Sequence, residues 1–142
     1  MKKQPINSTA AGLMLDSLEF FKASELVLNR TSGVSLPAYF LLGRSIELSL
    51  KAFLIHCGAS AEETKIFRHN LVKLLSEATS RGLENHVSLE QSEVAALDLL
   101  SKEYLATRLS YRDTGSTYYL PCIDLTESAA KKLICGLEGV CV

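Results

Sequence analysis

No stretch of this chain alternates apolar and polar residues in the manner of a half-buried strand, so nothing in the pattern supports a sheet. No apolar run reaches the ~18 residues that a membrane-spanning helix requires, because charged residues interrupt the most hydrophobic segment. Charge of one sign is not in excess either. Fifteen Lys+Arg against sixteen Asp+Glu leave a net charge of -1, and no global field draws the chain onto nucleic acid or an anionic membrane. Any basic site must therefore be local. Cys57, Cys122, Cys135 and Cys141 contain no C-x-x-C pair, and the three histidines show no H-x-x-x-H spacing. That excludes the common metal-ligand patterns. Gly33, Gly43 and Gly115 stand alone, so no glycine-rich phosphate loop is present. No metal and no cofactor is expected. The leader Met1-Lys2-Lys3 is followed by amphipathic spacing broken by Asp16 and Glu19, which is not the pattern of a signal peptide. Internal repeats are absent.

What is present is helical periodicity. The chain of 142 residues, 47% of them hydrophobic, has the size of one domain able to bury a core, over residues 1–142 with the core at about 8–140. Its organising stretch is Ser35 to Gly58, SLPAYFLLGRSIELSLKAFLIHCG, a helix apolar on most of its circumference and suited to the middle of a bundle. Ser35 is the cap, Pro37 falls in the tolerant first turn and Gly58 is the stop. Before it, Ser8 or Thr9 caps a helix to about Asn29 with Leu15, Leu18, Phe21 and Leu28 on one face, ended by Thr31-Ser32-Gly33. After it, Ser60 to Glu63 has capping-box spacing for a short helix to about Phe67, and Asn70 caps a helix through Leu71, Leu74, Leu75 and Ala78 to near Gly82. Ser88 to Gln91 is a second box, opening a helix to about Thr107 whose buried face is Val94, Leu97, Leu100, Tyr104 and Leu105. Leu109 to Ile123 is an irregular loop, and Asp124-x-x-Glu127 starts a last helix burying Ala130, Leu133, Ile134 and Leu137. The fold class is all-α, an antiparallel up-and-down bundle of four to five helices. The four cysteines, inside or beside apolar helical stretches, are expected to behave as small hydrophobes, in keeping with a reducing cytoplasm.

Arg44, Glu47 and Lys51 stand at i, i+3 and i+7 and so form one charged stripe on the central helix. One reading is an ion-pair row whose stems snorkel to water. The other is a polar groove for a phosphate-bearing ligand or for the irregular loop, with Arg44, Lys51 and Arg108 supplying charge. His69 sits at a loop-to-helix junction, where it either meets that stripe or bonds the backbone beside the cap Asn70. His56 reads as a core or helix-dipole residue. Tyr111, Tyr118 and Tyr119 gather near Arg108 and Arg112 and either stack a base or pin the loop to the bundle and a second subunit, with packing the expected use.

Three segments carry a family resemblance. AYFLLGRSIELSLKAFL, with Ala38, Phe40, Glu47, Leu50-Lys51-Ala52 and Leu54, resembles the second helix of HEPN domains. Arg68-His69-Asn70-Leu71 is similar to that family's His-Asp-Leu element with Asn70 in place of the Asp, and Tyr104 followed by Arg108 resembles its tyrosine-then-arginine element. The resemblance spans about residues 10 to 138. It implies a four- to five-helix bundle, often a homodimer, of bacterial toxin–antitoxin and defence systems or neighbours of nucleotidyltransferases. Some members are metal-independent ribonucleases, others bind nucleotides or are inactive scaffolds.

The ribonuclease members carry an arginine followed four to six residues later by a histidine, since in-line attack by a 2′-OH needs a proton-transfer group and a cation. No histidine follows Arg108 or Arg112. Arg81 and His86 have the spacing, but at a helix end away from the expected position. The expectation is a non-catalytic binding or regulatory module that engages a nucleotide, RNA or a protein partner encoded nearby, through Arg44, Glu47, Lys51, His69, Asn70, Arg108, Tyr111 and Arg112, with no membrane. The alternatives are a diverged ribonuclease toxin using His69 or His86 and a structural subunit of a larger assembly.

Overall fold

The computed structural model describes residues 9–112 and 114–142. The expected Ser8 cap and the lysines of the leader lie outside the described residues. Six α-helices, joined by one 3-10 turn, make up an all-helical bundle with no strand among the described residues. They are α1 (Ala10–Arg30), α2 (Leu36–His56), α3 (Ala61–Lys65), α4 (Leu71–Ser80), α5 (Gln91–Leu105) and α6 (Ile123–Leu137), with the 3-10 turn at Leu83–Asn85. No helix among the described residues is long and apolar enough to cross a membrane.

Helix α2 is the centre, as its composition requires. Leu42, Ile46, Leu50, Phe53 and Leu54 are fully buried, and α1, α4, α5 and α6 all pack on it, α1 most extensively. Ser35 caps it by accepting from the Ala38 amide at 3.2 Å, and Gly58 leaves it at a φ of 107°. The interface with α1 is tight because it is lined by small polar residues. Ser17 Oγ donates to the Ser45 carbonyl at 2.7 Å, and Ser45 Oγ donates back to the Ser17 carbonyl at 2.9 Å. Two hydroxyls that would be costly to bury alone are thereby satisfied.

This interface corrects the expected face of α1. The buried positions are Gly12, Met14, Ser17, Phe21 and Ser24, while Leu15 is exposed. Reciprocal hydroxyl bonding lets serines take core positions that an apolar count assigns to leucine. On α5, Leu97, Leu100 and Tyr104 are buried as expected, but Val94 and Leu105 are exposed and Glu93, Ser101 and Glu103 are buried in their place.

The start of α5 also differs from expectation, lying two residues beyond the expected Ser88 box. The cap is Glu90, and the box closes when Glu93 accepts from the Glu90 amide at 2.9 Å. Glu93 is preferred because it also accepts from Ser128 and Lys132 of α6, at 2.7 and 2.6 Å, fastening the two helices. Helix α6 begins at Ile123 with no side-chain cap, so Asp124 serves in the first turn, where it favours the helix dipole, instead of capping. Helix α3 ends at Lys65, and turns carry the chain on to Asn70. Cys57, Cys122 and Cys135 are exposed and only Cys141 is buried, so the expectation that all four pack as small hydrophobes holds for one. All four are free thiols.

Candidate functional site: a buried carboxylate beneath an open pocket

The charged stripe of α2 is an organised cluster. Glu47 is 1% exposed, yet each of its oxygens accepts two hydrogen bonds. Oε1 accepts from the Tyr104 hydroxyl at 2.7 Å and from His69 Nδ1 at 2.8 Å. Oε2 accepts from Lys51 Nζ at 2.7 Å and Arg44 Nη1 at 3.2 Å. All four lone-pair directions of the carboxylate are used. Burial acts to raise the Glu47 pKa, but the Lys51 ammonium and the Tyr104 and His69 hydrogen bonds outweigh it and hold the carboxyl below its ordinary value. The Tyr104 hydroxyl is displaced upward by burial and by the Glu47 charge.

Each donor is delivered by its own element. Arg44 and Lys51 come from the turns of α2 on either side of Glu47, at i−3 and i+4. Tyr104 reaches across from α5 because Gly43 leaves room for its ring. A Cβ on Gly43 would lie 2.6 Å from Tyr104 Cδ1. Ser101, one turn earlier on α5, accepts from the Leu71 amide at 3.2 Å and fixes the start of α4. Asn70 caps α4 by accepting from the Lys73 amide at 3.1 Å, and the left-handed turn at Arg68, with φ 49°, brings His69 in just ahead of that cap. His69 is thus tied to the stripe and not to the backbone, with its ring edge-on to Tyr104 at 5.5 Å between centroids. With Nδ1 engaged by Glu47, Nε2 is the ring nitrogen left outside the carboxylate's hydrogen bonds.

Above the cluster lies an open pocket of about 290 Å³, lined by Phe40, Arg44, His69, Tyr104, Thr107, Ser110 and Tyr111. Arg44 also lies 5.4 Å from the centre of the Phe20 ring, so the guanidinium is held from two sides. The structure brings together Arg44, Glu47, Lys51 and His69 of the expected residues, places Tyr111 at the same pocket, and adds Tyr104 and Phe40.

Arg108, expected in the same groove, is held elsewhere. It contacts Glu103, donates to the Thr117 carbonyl at 2.9 Å and lies 4.4 Å from the centre of the Tyr118 ring. Arg112 lines a separate depression with Tyr39 and Tyr118. Of the three loop tyrosines expected to pack, only Tyr118 does so, while Tyr111 and Tyr119 are exposed. The Arg81 side chain is taken by Glu77 on the surface of α4, and His86 lies edge-on to Phe53. His56 stands exposed in the last turn of α2, where a helix-dipole role fits. Among the described residues no group of three or more His, Cys, Asp and Glu side chains could hold a metal ion.

Sequence reasoning missed the buried acids Glu93 and Glu103. Charged residues on an amphipathic helix are assigned to water unless a partner is known, and their partners are 39 and 5 residues away in the chain. The signal for Tyr104 was stronger, since a tyrosine among leucines on a buried face needs a partner for its hydroxyl.

Comparison with protein-family models, curated proteins and solved structures finds no match to this chain.

Proposed function

We propose that this chain is a HEPN-like helical bundle acting as a non-catalytic binding module, and that the pocket above Glu47 receives a nucleotide or a nucleotide unit of single-stranded RNA. One observation carries the reading. Two permanent cations, Arg44 and Lys51, share one buried carboxylate, and Arg44 lines the pocket together with the aromatic rings of Phe40 and Tyr111. The excess positive charge suits a phosphate, and the rings suit a base. Glu47 anchors the donors and does not serve as a base, because its carboxyl is held ionised and every lone pair is occupied. The three resembling segments contribute the Glu47, Lys51, His69 and Tyr104 of this cluster.

A second reading rests on the Glu47–His69 pair at 2.8 Å, a carboxylate orienting a half-exposed imidazole. That arrangement is the one a general base uses, and a diverged ribonuclease would employ it against a 2′-OH. Labelled single-stranded RNA incubated with the protein in EDTA separates the two. The binding reading expects a retarded, intact RNA with both wild type and His69→Ala. Cleavage by wild type that His69→Ala abolishes would establish the ribonuclease instead.

A further inference from the structure

The pocket above Glu47 has a neighbour. A wider depression of about 680 Å³ is lined by Val34, Leu36 and Tyr39, at and just before the start of α2, and by Arg112 of the loop after α5. The two hollows adjoin along both elements. On α2, Leu36, Phe40 and Arg44 stand at i, i+4 and i+8 on one stripe, with Leu36 in the depression and Phe40 and Arg44 in the pocket. At 1.5 Å per residue that stripe covers about 12 Å. In the loop, Tyr111 lines the pocket and the next residue, Arg112, lines the depression. Residues 111 and 112 are the ridge between them.

That ridge is firmly placed. Leu109 belongs to the buried core, and the Thr107 and Arg108 amides donate to the carbonyls of Tyr104 and Glu103 at 3.1 and 3.2 Å. The Tyr111 amide donates to the Thr107 carbonyl at 2.9 Å. Farther along, Arg108 donates to the Thr117 carbonyl and the Tyr118 hydroxyl donates back to the Arg108 carbonyl, so the two sides of the loop hold each other. The ridge side chains themselves face water. Tyr111 is 78% exposed, and Arg112 is exposed with no ion pair among the described residues.

Charge sets these two hollows apart. Among the described residues each is lined by one arginine and by no carboxylate, Arg44 in the pocket and Arg112 in the depression. Asp113 lies outside the described residues, and Asp124, whose charge reaches Tyr39, does not line the depression. Apolar hollows elsewhere on the bundle have the opposite character. Asp98 lines one against α4 and α5, Glu84 lines a second beside it, and Glu138 lines a third against α1, none of them with a cation. In a chain of net charge -1, two adjoining arginine-lined hollows make a local positive field.

We infer that the wider depression is a second nucleotide subsite, and that the bundle binds two consecutive nucleotides of single-stranded RNA across the Tyr111–Arg112 ridge. Arg112 takes the second phosphate as Arg44 takes the first. The exposed Tyr111 ring offers a stacking face at the step between the two nucleotides, and Val34 and Leu36 give the second base an apolar bed. Because the loop is already tied down, a strand meets a preorganised surface and little is lost in ordering it. This inference rests on the binding reading above and extends it from a single nucleotide to a strand.

Calorimetric titration with two probes, adenosine 5′-monophosphate and the 5′-phosphorylated dinucleotide pApA, tests the second subsite. Wild type is expected to bind pApA about tenfold more tightly than the mononucleotide. Arg112→Ala, a change at an exposed loop position, should bring pApA back to the affinity of the mononucleotide and leave mononucleotide binding as it was. The slope of log K against log salt for pApA should become shallower by about 0.7 in that variant, the contribution of one phosphate on a single strand. Arg44→Ala should weaken both probes. Equal affinity of wild type for the two probes, or pApA binding that Arg112→Ala leaves unchanged, would overturn the second subsite and leave the pocket above Glu47 standing. Failure of wild type to bind either probe would refute the binding reading itself.

Discussion

Replacing Glu47 with glutamine removes the charge at the centre of the cluster and keeps the shape. Its four donors are not equally affected. Arg44 and His69 have side chains 28% and 44% exposed and recover water when released. Lys51, at 14%, and the buried Tyr104 do not. A hydrogen bond to a charged group contributes about 1.5–3 kcal/mol, but four such values cannot be added for groups that act together. The relevant quantity is the loss on removing one member of a buried ion pair, about 3–5 kcal/mol. Against a total stability of about 5–15 kcal/mol for an ordinary domain, that is a large fraction. At roughly 3 °C per kcal/mol for a chain of this size, Tm falls by about 10–15 °C. Urea unfolding followed by circular dichroism measures the loss directly, and Lys51→Met in the Glu47→Gln background should recover about 1–2 kcal/mol by removing the orphaned ammonium. A loss below about 1 kcal/mol for Glu47→Gln would refute the claim that this carboxylate organises α2, α4 and α5.

The pH dependence follows from the same cluster. The folded pKa values of Glu47 and Glu93 lie below their ordinary value of 4.5, so their contribution is complete above that pH and is lost as pH falls through the folded values. The urea midpoint of wild type should drop on acidification below pH 4.5, and the drop should be shallower in Glu47→Gln. Gly43→Ala places a Cβ 2.6 Å from Tyr104 and should cost about 1–3 kcal/mol, with a changed near-ultraviolet tyrosine signal as the ring is pushed off Glu47. Ellman's reagent should titrate the exposed Cys57, Cys122 and Cys135 at once. Burial, with a smaller effect from Cys57, pushes the Cys141 thiol up to about 11, and Cys141 should react only on the timescale of unfolding.

Much of the architecture was legible because it was written in local signals. Ser35, Pro37 and Gly58 bound α2, and Asn70 and Gly82 bound α4, through backbone chemistry that depends on near neighbours alone. The stripe of Arg44, Glu47 and Lys51 was legible for the same reason, since helical spacing fixes it. What failed was long-range. The serines at the α1–α2 interface are core residues only because Ser17 and Ser45 satisfy each other across 28 positions. Glu93 displaced the cap of α5 because its partners lie on α6. Its junction left His69 open between the stripe and the backbone, and its bond to Glu47 depends on the turn at Arg68, whose left-handed φ no residue type there announces. Arg108 was put in the groove by its charge, and Glu103, five residues before it, holds it instead.

Calorimetric titration of adenosine 5′-monophosphate into wild type and Arg44→Ala tests the central claim most directly. Saturable one-to-one binding by wild type, weakened about tenfold or more in Arg44→Ala with the fold intact, is the result this account predicts. Binding that Arg44→Ala leaves unchanged would place the ligand elsewhere, and no binding by wild type would contradict the assignment of the pocket above Glu47 to a nucleotide.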